Sequence, residues 1–359
     1  MKNKSYYGGK IPFIRSAEIH KNKTELFITE SGLKNSSAKL IRKGTLLYAL
    51  YGATSGEVDV SNIDGAINQA IMAIFLQKDN VSFIKYYLEK NKDKIIAKYL
   101  QGGQGNLSAS IIKSVYINLP FTEEQLKISN LIKKVESLIS LQQRKLDLLK
   151  QLKKGLLQKL FADKDAKQPV LRFDGFSGDW EQRKLGEFGS VAMNKRIFKK
   201  QTTKLGDVPF YKIGTFGKKP DAYISNELFE EYKSKYPYPE TGDLLISASG
   251  SIGRIVEYKG QKAYFQDSNI VWLKHNDQLN NLFLKAFYHI VKWDGTEGST
   301  IKRLYNKNIL RTKISLPTVL EQEKIGEIIE HIEQLTALQQ SKLDKLTFLK
   351  NFLLQQMFI

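Results

Sequence analysis

The stretch LPFTEEQLKISNLIKKVESLISLQQRKLDLLKQLKKGLLQKLF, at Leu119–Phe161, returns at Leu316–Phe358 as LPTVLEQEKIGEIIEHIEQLTALQQSKLDKLTFLKNFLLQQMF. The two stretches align without a gap, and about half of their positions carry the same residue. Shared helical composition alone does not give such agreement, so the chain contains an internal duplication. The matches include the dipeptide Glu-Gln, which begins at Glu124 in the first copy and at Glu321 in the second.

Both copies have the apolar periodicity of one long amphipathic helix. Apolar residues follow one another at steps of three and four, as at Ile128, Leu131 and Val135, which is the spacing of a helical stripe. Each copy begins with a capping-box pattern, Thr122 with Gln125 and Thr318 with Glu321. About forty helical residues make a rod on the order of 60 Å. A stripe of that length needs an apolar partner, so the sequence predicts antiparallel packing of the two copies.

Two glutamine pairs, Gln142-Gln143 and Gln339-Gln340, lie near the middle of the predicted helices. Antiparallel packing would bring them together, and we hypothesise that they fix the register, as a buried polar residue does in a coiled coil. The alternative is that both are exposed polar pairs. The opposite net charges of the two helical segments favour their pairing, since residues 121–168 carry a net charge of +5 and residues 319–359 a net charge of −2.

The segments ahead of the helices are weaker copies of each other. IPFIRSAEI from Ile11 resembles VPFYKIGTF from Val208, and KGTLLYALYGATSGE from Lys43 resembles TGDLLISASGSIGR from Thr241. The sequence therefore predicts an α+β fold: two α/β modules joined by two long antiparallel helices, with a pseudo-twofold internal repeat. The predicted segments are the first module, the central helix, the second module and the C-terminal helix, at residues 1–120, 121–162, 163–318 and 319–359. Ten residues precede Ile11 whereas Val170–Asp207 precede Val208, so we expect the first module to be shortened at its start.

Composition narrows the function classes. The 359 residues include 56 Lys and Arg against 37 Asp and Glu, a net charge of +19, which points to a polyanionic partner such as nucleic acid. The absence of cysteine excludes disulfides, thiolate catalysis and zinc-thiolate sites. Four widely separated histidines give no metal-ligand spacing. No apolar stretch approaches eighteen residues, so we expect a cytoplasmic protein with no membrane partner.

Catalytic motifs are scarce. The strip Ser249–Arg254 lacks the lysine of a phosphate loop, and no dinucleotide or S-adenosylmethionine turn is visible. Asp221, Glu231 and Lys233 have the residue order of a metal-dependent nuclease, in which carboxylates hold the cation and a lysine assists the attacking water. The segment around Glu231 nevertheless has the pattern of a short amphipathic helix with a solvated acidic face.

The other polar and basic segments of the sequence indicate binding. Each module closes with a glycine-rich, polar and basic strip, and Gln or Asn can bond adenine while Arg or Lys can bond guanine in the major groove. The second module also has a dense basic run beginning at Lys195, suited to phosphate contact. The predicted DNA-binding residues are Arg15, Tyr51, Gln104, Asn106, Lys195, Arg196, Ser249, Arg254, Lys302, Arg303, Tyr305 and Asn306. Phosphate positioning or plain solvent exposure is the alternative for the two strips, and a solvated loop is the alternative for the basic run.

With Leu171-Arg172-Phe173, Trp180, the Gly-Asp-Leu-Leu start at Gly242 and the Leu-Pro helix starts, the sequence resembles the DNA-specificity subunit of type I restriction-modification enzymes. The resemblance implies two target-recognition domains that read an asymmetric bipartite DNA site, with the helix pair as spacer and docking surface. It also implies partners: two modification subunits that use S-adenosylmethionine to methylate adenine, and restriction subunits that use ATP and magnesium. No catalytic residue, cofactor or metal is then expected in this chain.

Two other functions stay open at this point. The first is a self-sufficient nuclease or methyltransferase with built-in recognition, with Asp221, Glu231 and Lys233 as the nuclease residues. The second is a structural coiled-coil adaptor for proteins or RNA. Neither accounts as well for duplicated helices that carry divergent modules.

Overall fold

A computed structural model describes residues 3–99, 107–163, 166–293 and 303–358. The chain divides into two compact units: the first unit comprises Met1–Arg144 with Ser341–Ile359, and the second unit comprises Lys145–Gln340. The division falls inside both predicted long helices, so each unit holds one module together with a segment of each helix. The boundaries predicted from the sequence instead divide the chain into four consecutive segments. That these segments are the functional domains stays a prediction.

The first unit contains two small sheets and several helices. One sheet has the strand order β2-β1-β6-β3 and the other has the order β5-β4-β7. Strand β1 runs parallel to β6, whereas the other pairings are antiparallel. The elements are β1 (Tyr7–Ile14), β2 (Phe27–Ile28), α1 (Glu30–Lys34), β3 (Lys39–Ile41), β4 (Leu46–Ala49), β5 (Val58–Val60), β6 (Gly65–Ile67), β7 (Ile71–Ile74), α2 (Val81–Lys90), α3 (Lys92–Tyr99), α4 (Ala109–Lys113) and the long helix α5 (Thr122–Lys159), of which the first part belongs to this unit.

The second unit repeats much of this pattern, with nine strands where the described part of the first unit has seven. Its sheets have the orders β11-β10-β14, β13-β12-β15-β9 and β16-β8. The parallel pair is again the first strand of the repeat, here β10 with β14. The elements are β8 (Glu181–Lys184), β9 (Gly189–Ala192), β10 (Val208–Tyr211), β11 (Tyr223–Ile224), α6 (Asn226–Lys235), β12 (Leu244–Ser247), β13 (Ile255–Glu257), β14 (Tyr264–Phe265), β15 (Ile270–His275), α7 (Asn281–Tyr288), α8 (Asn306–Arg311), β16 (Lys313–Leu316) and the long helix α9 (Val319–Met357), which ends in the first unit.

Within each unit the segments of α5 and α9 run antiparallel. In the first unit Ile132 shares a core with Leu354, and Glu136, one turn further along α5, bonds Lys350, one turn earlier in α9. In the second unit Leu157 and Ile329 share a core, and Lys153 contacts Glu333 at 2.6 Å. The fold class is therefore the predicted one: two α/β modules, two long antiparallel helices and an internal repeat.

A duplicated ion-pair network fixes the helix register inside each unit. In the first unit Glu136 accepts from Lys350 at 2.8 Å and from the Tyr86 hydroxyl at 2.6 Å, and Lys85 of α2 lies 3.8 Å away. Burial raises the pKa of Glu136, but the hydrogen bonds from Lys350 and Tyr86 outweigh it and hold the pKa below its usual range.

The second unit has the equivalent network at Glu333. Lys153 lies 2.6 Å from Glu333, His289 lies 2.7 Å from it, and Lys285 of α7 lies 3.2 Å from it. Burial again raises the pKa of this carboxyl, and the hydrogen bonds from His289 and Lys153 lower it further than burial raises it. The residues predicted from the sequence to fix the register were instead Gln142, Gln143, Gln339 and Gln340. Those glutamines belong to different units, and their role stays a prediction.

The repeated glutamine of each Glu-Gln pair joins a long helix to its module. Gln125 accepts from the backbone N–H of Asn80 at 2.9 Å and donates to the Pro120 carbonyl at 3.0 Å. Gln322 makes the same bonds to Asn280 and Pro317, at 2.9 and 3.1 Å. The predicted capping box at Thr122 is therefore wrong, because the side chain of Gln125 is used for this tertiary contact. Both glutamines are buried, which makes each bond expensive to lose.

Candidate nucleic-acid interface

The loop between β12 and β13 presents the first group of predicted contacts. Gly250 and Gly253 have φ of +66° and +81°, a backbone conformation that residues with a Cβ rarely adopt. The counterparts in the first unit, Gly52 and Gly56, have φ of +75° and +84°. In the second unit Ser249, two residues after the end of β12, faces the segment that follows β14.

That segment is the turn Asp267–Asn269, and it gathers three predicted residues from distant parts of the second unit. Asp267 accepts from Arg196 Nε at 2.8 Å, and the Ser268 carbonyl accepts from Arg303 Nη2 at 3.0 Å. Asn269 Oδ1 accepts from the Ser249 hydroxyl at 2.8 Å. Ser268 itself has φ of +60°, an uncommon conformation for a residue with a Cβ. We call Arg196, Ser249 and Arg303, with the turn that holds them, the basic turn cluster.

Arg303 is held on both sides in this cluster. It forms a β-bridge with Ser249, and the next residue, Leu304, donates its backbone N–H to Ala248 at 2.8 Å. Its guanidinium lies 5.8 Å from the ring centroid of Tyr305, which is 42% exposed. A guanidinium held by one carbonyl retains further N–H donors, so this arrangement can bond a base edge or a phosphate. Asn306 follows directly as the first residue of α8.

The predicted basic run is exposed beside an aromatic residue. The side chain of Arg196 is 61% exposed even though Asp267 binds its Nε. Lys195 Nζ lies 4.8 Å from the ring centroid of Tyr236, and Phe198 is 55% exposed within the run. Lys199 and Lys200 are also exposed. Such a surface suits a polyanion, because its cationic groups are solvated and need little desolvation before contact.

Arg254 is placed differently from the rest. Its Nη1 donates to the Phe216 carbonyl at 2.9 Å, and the residue is half-buried. The guanidinium therefore ties the start of β13 to the loop after β10. Its contact with DNA stays a prediction.

The first unit holds fewer of the predicted residues. Arg15 bonds both Glu18 and Glu25, and its hydrogen bond lowers the pKa of Glu18 to about 2. Tyr51, at the position of Ser249, is 38% exposed. Leu107 donates its backbone N–H to Leu50 at 2.8 Å, which repeats the tie that Leu304 makes to Ala248. Gln104, Asn106 and Lys302 lie outside the described residues.

The nuclease candidates take other partners. Asp221 contacts Lys212 at 2.8 Å, and Glu231 on α6 contacts Lys235 at 3.0 Å. Lys233 lies 5.3 Å from the ring centroid of Tyr238. Among the described residues no group of three or more His, Asp or Glu side chains could hold a metal ion. The expected amphipathic helix is present as α6, and the nuclease alternative has no support.

The turn Asp267–Asn269 was not predicted from the sequence, although the residues that it gathers were. The only signal was a short polar tract between the apolar strands β14 and β15. Nothing in the sequence indicated that this tract contacts Arg196, far before it, and Arg303, after it.

In the parts of the chain that the structure describes, no helix is long and apolar enough to cross a membrane.

Each α/β module is attached to segments of two long antiparallel helices, and the second module presents exposed basic residues beyond its strand ends. The model of the type I restriction modification DNA specificity domain matches residues 1–151 and 177–347, and the chain belongs to that family.

Two relatives are similar to this chain in sequence, and one solved structure is similar in fold. A putative type I restriction enzyme specificity subunit of Haemophilus influenzae is 60% identical over 153 residues, which cover 42% of this chain and 40% of the relative. The type I restriction enzyme MjaIX specificity subunit of Methanocaldococcus jannaschii is 26% identical over 65% of this chain and 59% of the relative. The chain thus spans less than two thirds of these relatives. A crystal structure of the S subunit from M. genitalium matches the fold with a TM-score of 0.65 at 18% identity, over 100% of this chain and 92% of that one.

Proposed function

We propose that this chain is the non-catalytic DNA sequence-recognition subunit of a type I restriction-modification complex. The observation that carries the proposal is the basic turn cluster, in which Arg196, Ser249 and Arg303 meet at one turn of the second unit. Converging donors on a positively charged module suit the reading of base edges, while the exposed lysines around them suit phosphate contact. Family membership supports the same function.

Each module would read one half of a split target. The modules, at residues 1–120 and 163–318, share their strand pattern but differ in the residues of their loops, so the two half-sites differ and the target is asymmetric. In the first module Tyr51, Arg15 and the strip with Gln104 and Asn106 take the place of the cluster. In the second module the proposed DNA contacts, besides the basic turn cluster, are Lys195, Arg254, Lys302, Tyr305 and Asn306.

The helix segments, at residues 121–162 and 319–359, would set the spacing between the half-sites, much as dimer geometry sets half-site spacing in other DNA-binding proteins. The glutamines Gln142, Gln143, Gln339 and Gln340 would contribute to that register. Several apolar side chains on the helices are half exposed, among them Leu138, Leu141, Leu335 and Leu338. They support a role as docking surface for two modification subunits.

Catalysis would then belong to the partners. The modification subunits would bring S-adenosylmethionine and methylate adenine, and restriction subunits would bring ATP and magnesium. A cytoplasmic location follows from such partners.

The test is the methylation pattern of a host that expresses this chain with its modification subunit. We expect methylated adenines in a motif of two unlike halves separated by a fixed number of bases. Arg303→Ala should relax the bases read in one half and leave the other half and the spacer unchanged. Each good bidentate base contact contributes about 1–3 kcal/mol of discrimination.

The matched control is Lys259→Ala, because Lys259 is exposed and follows β13 at the opposite end of the hairpin from Ser249. It should leave the motif unchanged. A motif that Arg303→Ala alters in both halves alike would contradict a split target. Cleavage of DNA by the isolated chain with magnesium, lost in Glu231→Ala, would replace the proposal with the nuclease.

A further inference from the structure

Phe198 is an exposed aromatic residue in the middle of the basic run of the second unit. It is 55% exposed, although phenylalanine is among the residues most often buried in folded proteins. Within three residues of it lie four exposed cationic side chains, those of Lys195, Arg196, Lys199 and Lys200. A surface of this charge attracts a polyanion. The partner that covers Phe198 must therefore offer both negative charge and an apolar surface, and DNA offers phosphates and stacked bases.

The backbone presents Phe198 on the same side as Arg196. Ile197, between them, packs against the buried cluster that contains Phe210. Phe198 has extended backbone angles, with φ of −87° and ψ of 155°, and successive side chains of an extended chain point to opposite sides. The exposed Arg196 and Phe198 therefore share one face, about 7 Å apart along the chain. Since Asp267 binds Arg196, the phenyl ring extends the face of the basic turn cluster.

Hydrogen bonds fix the backbone on both sides of Phe198. Before it, the Lys195 carbonyl accepts from the Tyr264 hydroxyl at 3.1 Å. After it, Gln201 Oε1 accepts from the backbone N–H of Phe198 at 2.8 Å, and Gln201 Nε2 donates to the Tyr232 hydroxyl at 3.3 Å. An exposed side chain on a backbone held in this way loses little conformational freedom when it binds, which is the advantage of a preorganised contact.

The chemistry of a phenyl ring limits what Phe198 can do on DNA. The side chain has no hydrogen-bond donor or acceptor, so it neither reads a base edge nor binds a phosphate. On a duplex it can insert between two stacked base pairs, which partly unstacks them and kinks the helix. Lys199 and Lys200 follow it directly and are exposed, so they can contact the phosphates beside an opened base step.

We propose that Phe198 is an apolar wedge that inserts into one base step of the half-site read by the second module. The inference rests on the proposed function, because it takes the DNA of that half-site as the ligand. Pyrimidine–purine steps, TA and CA, unstack most easily. The wedge therefore selects such a step without a hydrogen bond to any base, and it adds selectivity for DNA deformability to the base contacts of Arg303.

The first test measures unstacking in duplexes that contain the methylation motif, with 2-aminopurine replacing one adenine at a time in and beside that half-site. The full chain is used without modification subunits, because a methyltransferase that extrudes its target base would raise the same fluorescence. We expect the native chain to raise the fluorescence severalfold at one step. Phe198→Ala should abolish this rise and weaken binding about tenfold, the size of a typical aromatic–base contact.

Three further variants separate the wedge from charge and from general exposure. Phe198→Leu keeps an apolar side chain and should retain most of the fluorescence rise. Phe198→Lys adds a cation and should still abolish it. The matched control is Phe75→Ala, because Phe75 is 74% exposed and follows β7 in the first unit, outside the basic run. It should leave the fluorescence and the affinity unchanged.

A second measurement relates the wedge to the base step that responds. Replacing that step by a purine–pyrimidine step makes it harder to unstack. The replacement should weaken binding by the native chain more than binding by Phe198→Ala, because only the native chain opens the step. Equal losses of affinity in the two proteins would overturn the proposal.

The remaining outcomes distinguish the wedge from the proposed function. Motif-specific binding without a fluorescence rise, or with a rise that Phe198→Ala retains, would overturn the wedge and leave the proposed function intact. Equal affinity for the motif and for a scrambled duplex would contradict the proposed function instead. Unstacking that depends on Phe198 in the scrambled duplex would then still support the wedge, and its absence would overturn it.

Discussion

Glu124 and Glu321 stand at the same place in the two copies of the repeat, yet only one of them is buried. Arg172 binds Glu321 and the segment around it removes the carboxylate from water, whereas Glu124 is exposed. The next residues, Gln125 and Gln322, have matching bonds and matching burial. The difference teaches that the repeated glutamines attach both modules alike, while the burial of the glutamate beside them depends on a contact that only Arg172 supplies among the described residues.

The largest expected effect is the loss of Arg172. Arg172→Ala leaves Glu321 buried without a cation, so we expect the free energy of unfolding of the second unit to fall by about 3 kcal/mol. Glu124→Ala, at the equivalent place in the first unit, should change it by less than about 0.5 kcal/mol. Urea denaturation gives the size of each change, and hydrogen exchange at β15 and β7 assigns it to a unit. Equal effects at the two sites would break the comparison.

The repeated glutamines should instead behave alike. Gln125→Ala and Gln322→Ala each leave the backbone N–H of Asn80 or Asn280 without its acceptor, at a cost of about 1–3 kcal/mol. The exposed Gln151 on α5 provides the control, and Gln151→Ala should be close to neutral. Urea denaturation of the three variants measures this. A large effect at only one buried glutamine would show that the two attachments differ.

The smallest expected effect is a pH dependence shared by Glu136 and Glu333. Both carboxyls have a pKa below the ordinary 4.5, since the hydrogen bonds they accept from lysine, tyrosine and histidine outweigh burial. The stability that they contribute is therefore complete above about pH 4.5, and it declines as the pH falls from there through the lower folded-state pKa.

Glu136→Gln and Glu333→Gln should each lower the urea midpoint at pH 7 and reduce its further fall between pH 5 and pH 3. Glu123→Gln, an exposed carboxylate near the start of α5, should leave both unchanged. If the native chain and the two buried variants lost stability in parallel on acidification, the ion pairs would not be the source of the pH dependence.

Most of the fold could be predicted because its largest features are periodic or repeated. The apolar steps at Ile128, Leu131 and Val135 predict α5, and the duplicated stretch predicts that α9 packs against it. The relation between the two modules was visible from the likeness of the segments that begin at Ile11 and Val208. The order of the strands within each module required the structure.

The site was harder to predict, because its residues meet through loops. Arg196 and Arg303 were chosen for their chemistry, but their contacts with Asp267 and Ser268 depend on the paths of three separate segments. The sequence likewise favoured glutamines for helix register, since polar residues in a helix stripe are conspicuous. The ion pairs of Glu136 and Glu333 were less visible because each joins residues that are distant in the chain, although the repeat relates Glu136 to Glu333 and Lys153 to Lys350.

Within the part of the chain that the structure describes, Gln125 and Gln322 bond backbone groups of the modules, and Gln125 also contacts Asp79. Main-chain atoms are the same whichever residues stand in the variable loops. Substitutions at Tyr51, Ser249 or Arg303 can therefore accumulate without loosening the mounting of either module. Variation in the loops therefore leaves the attachment chemistry of the modules constant.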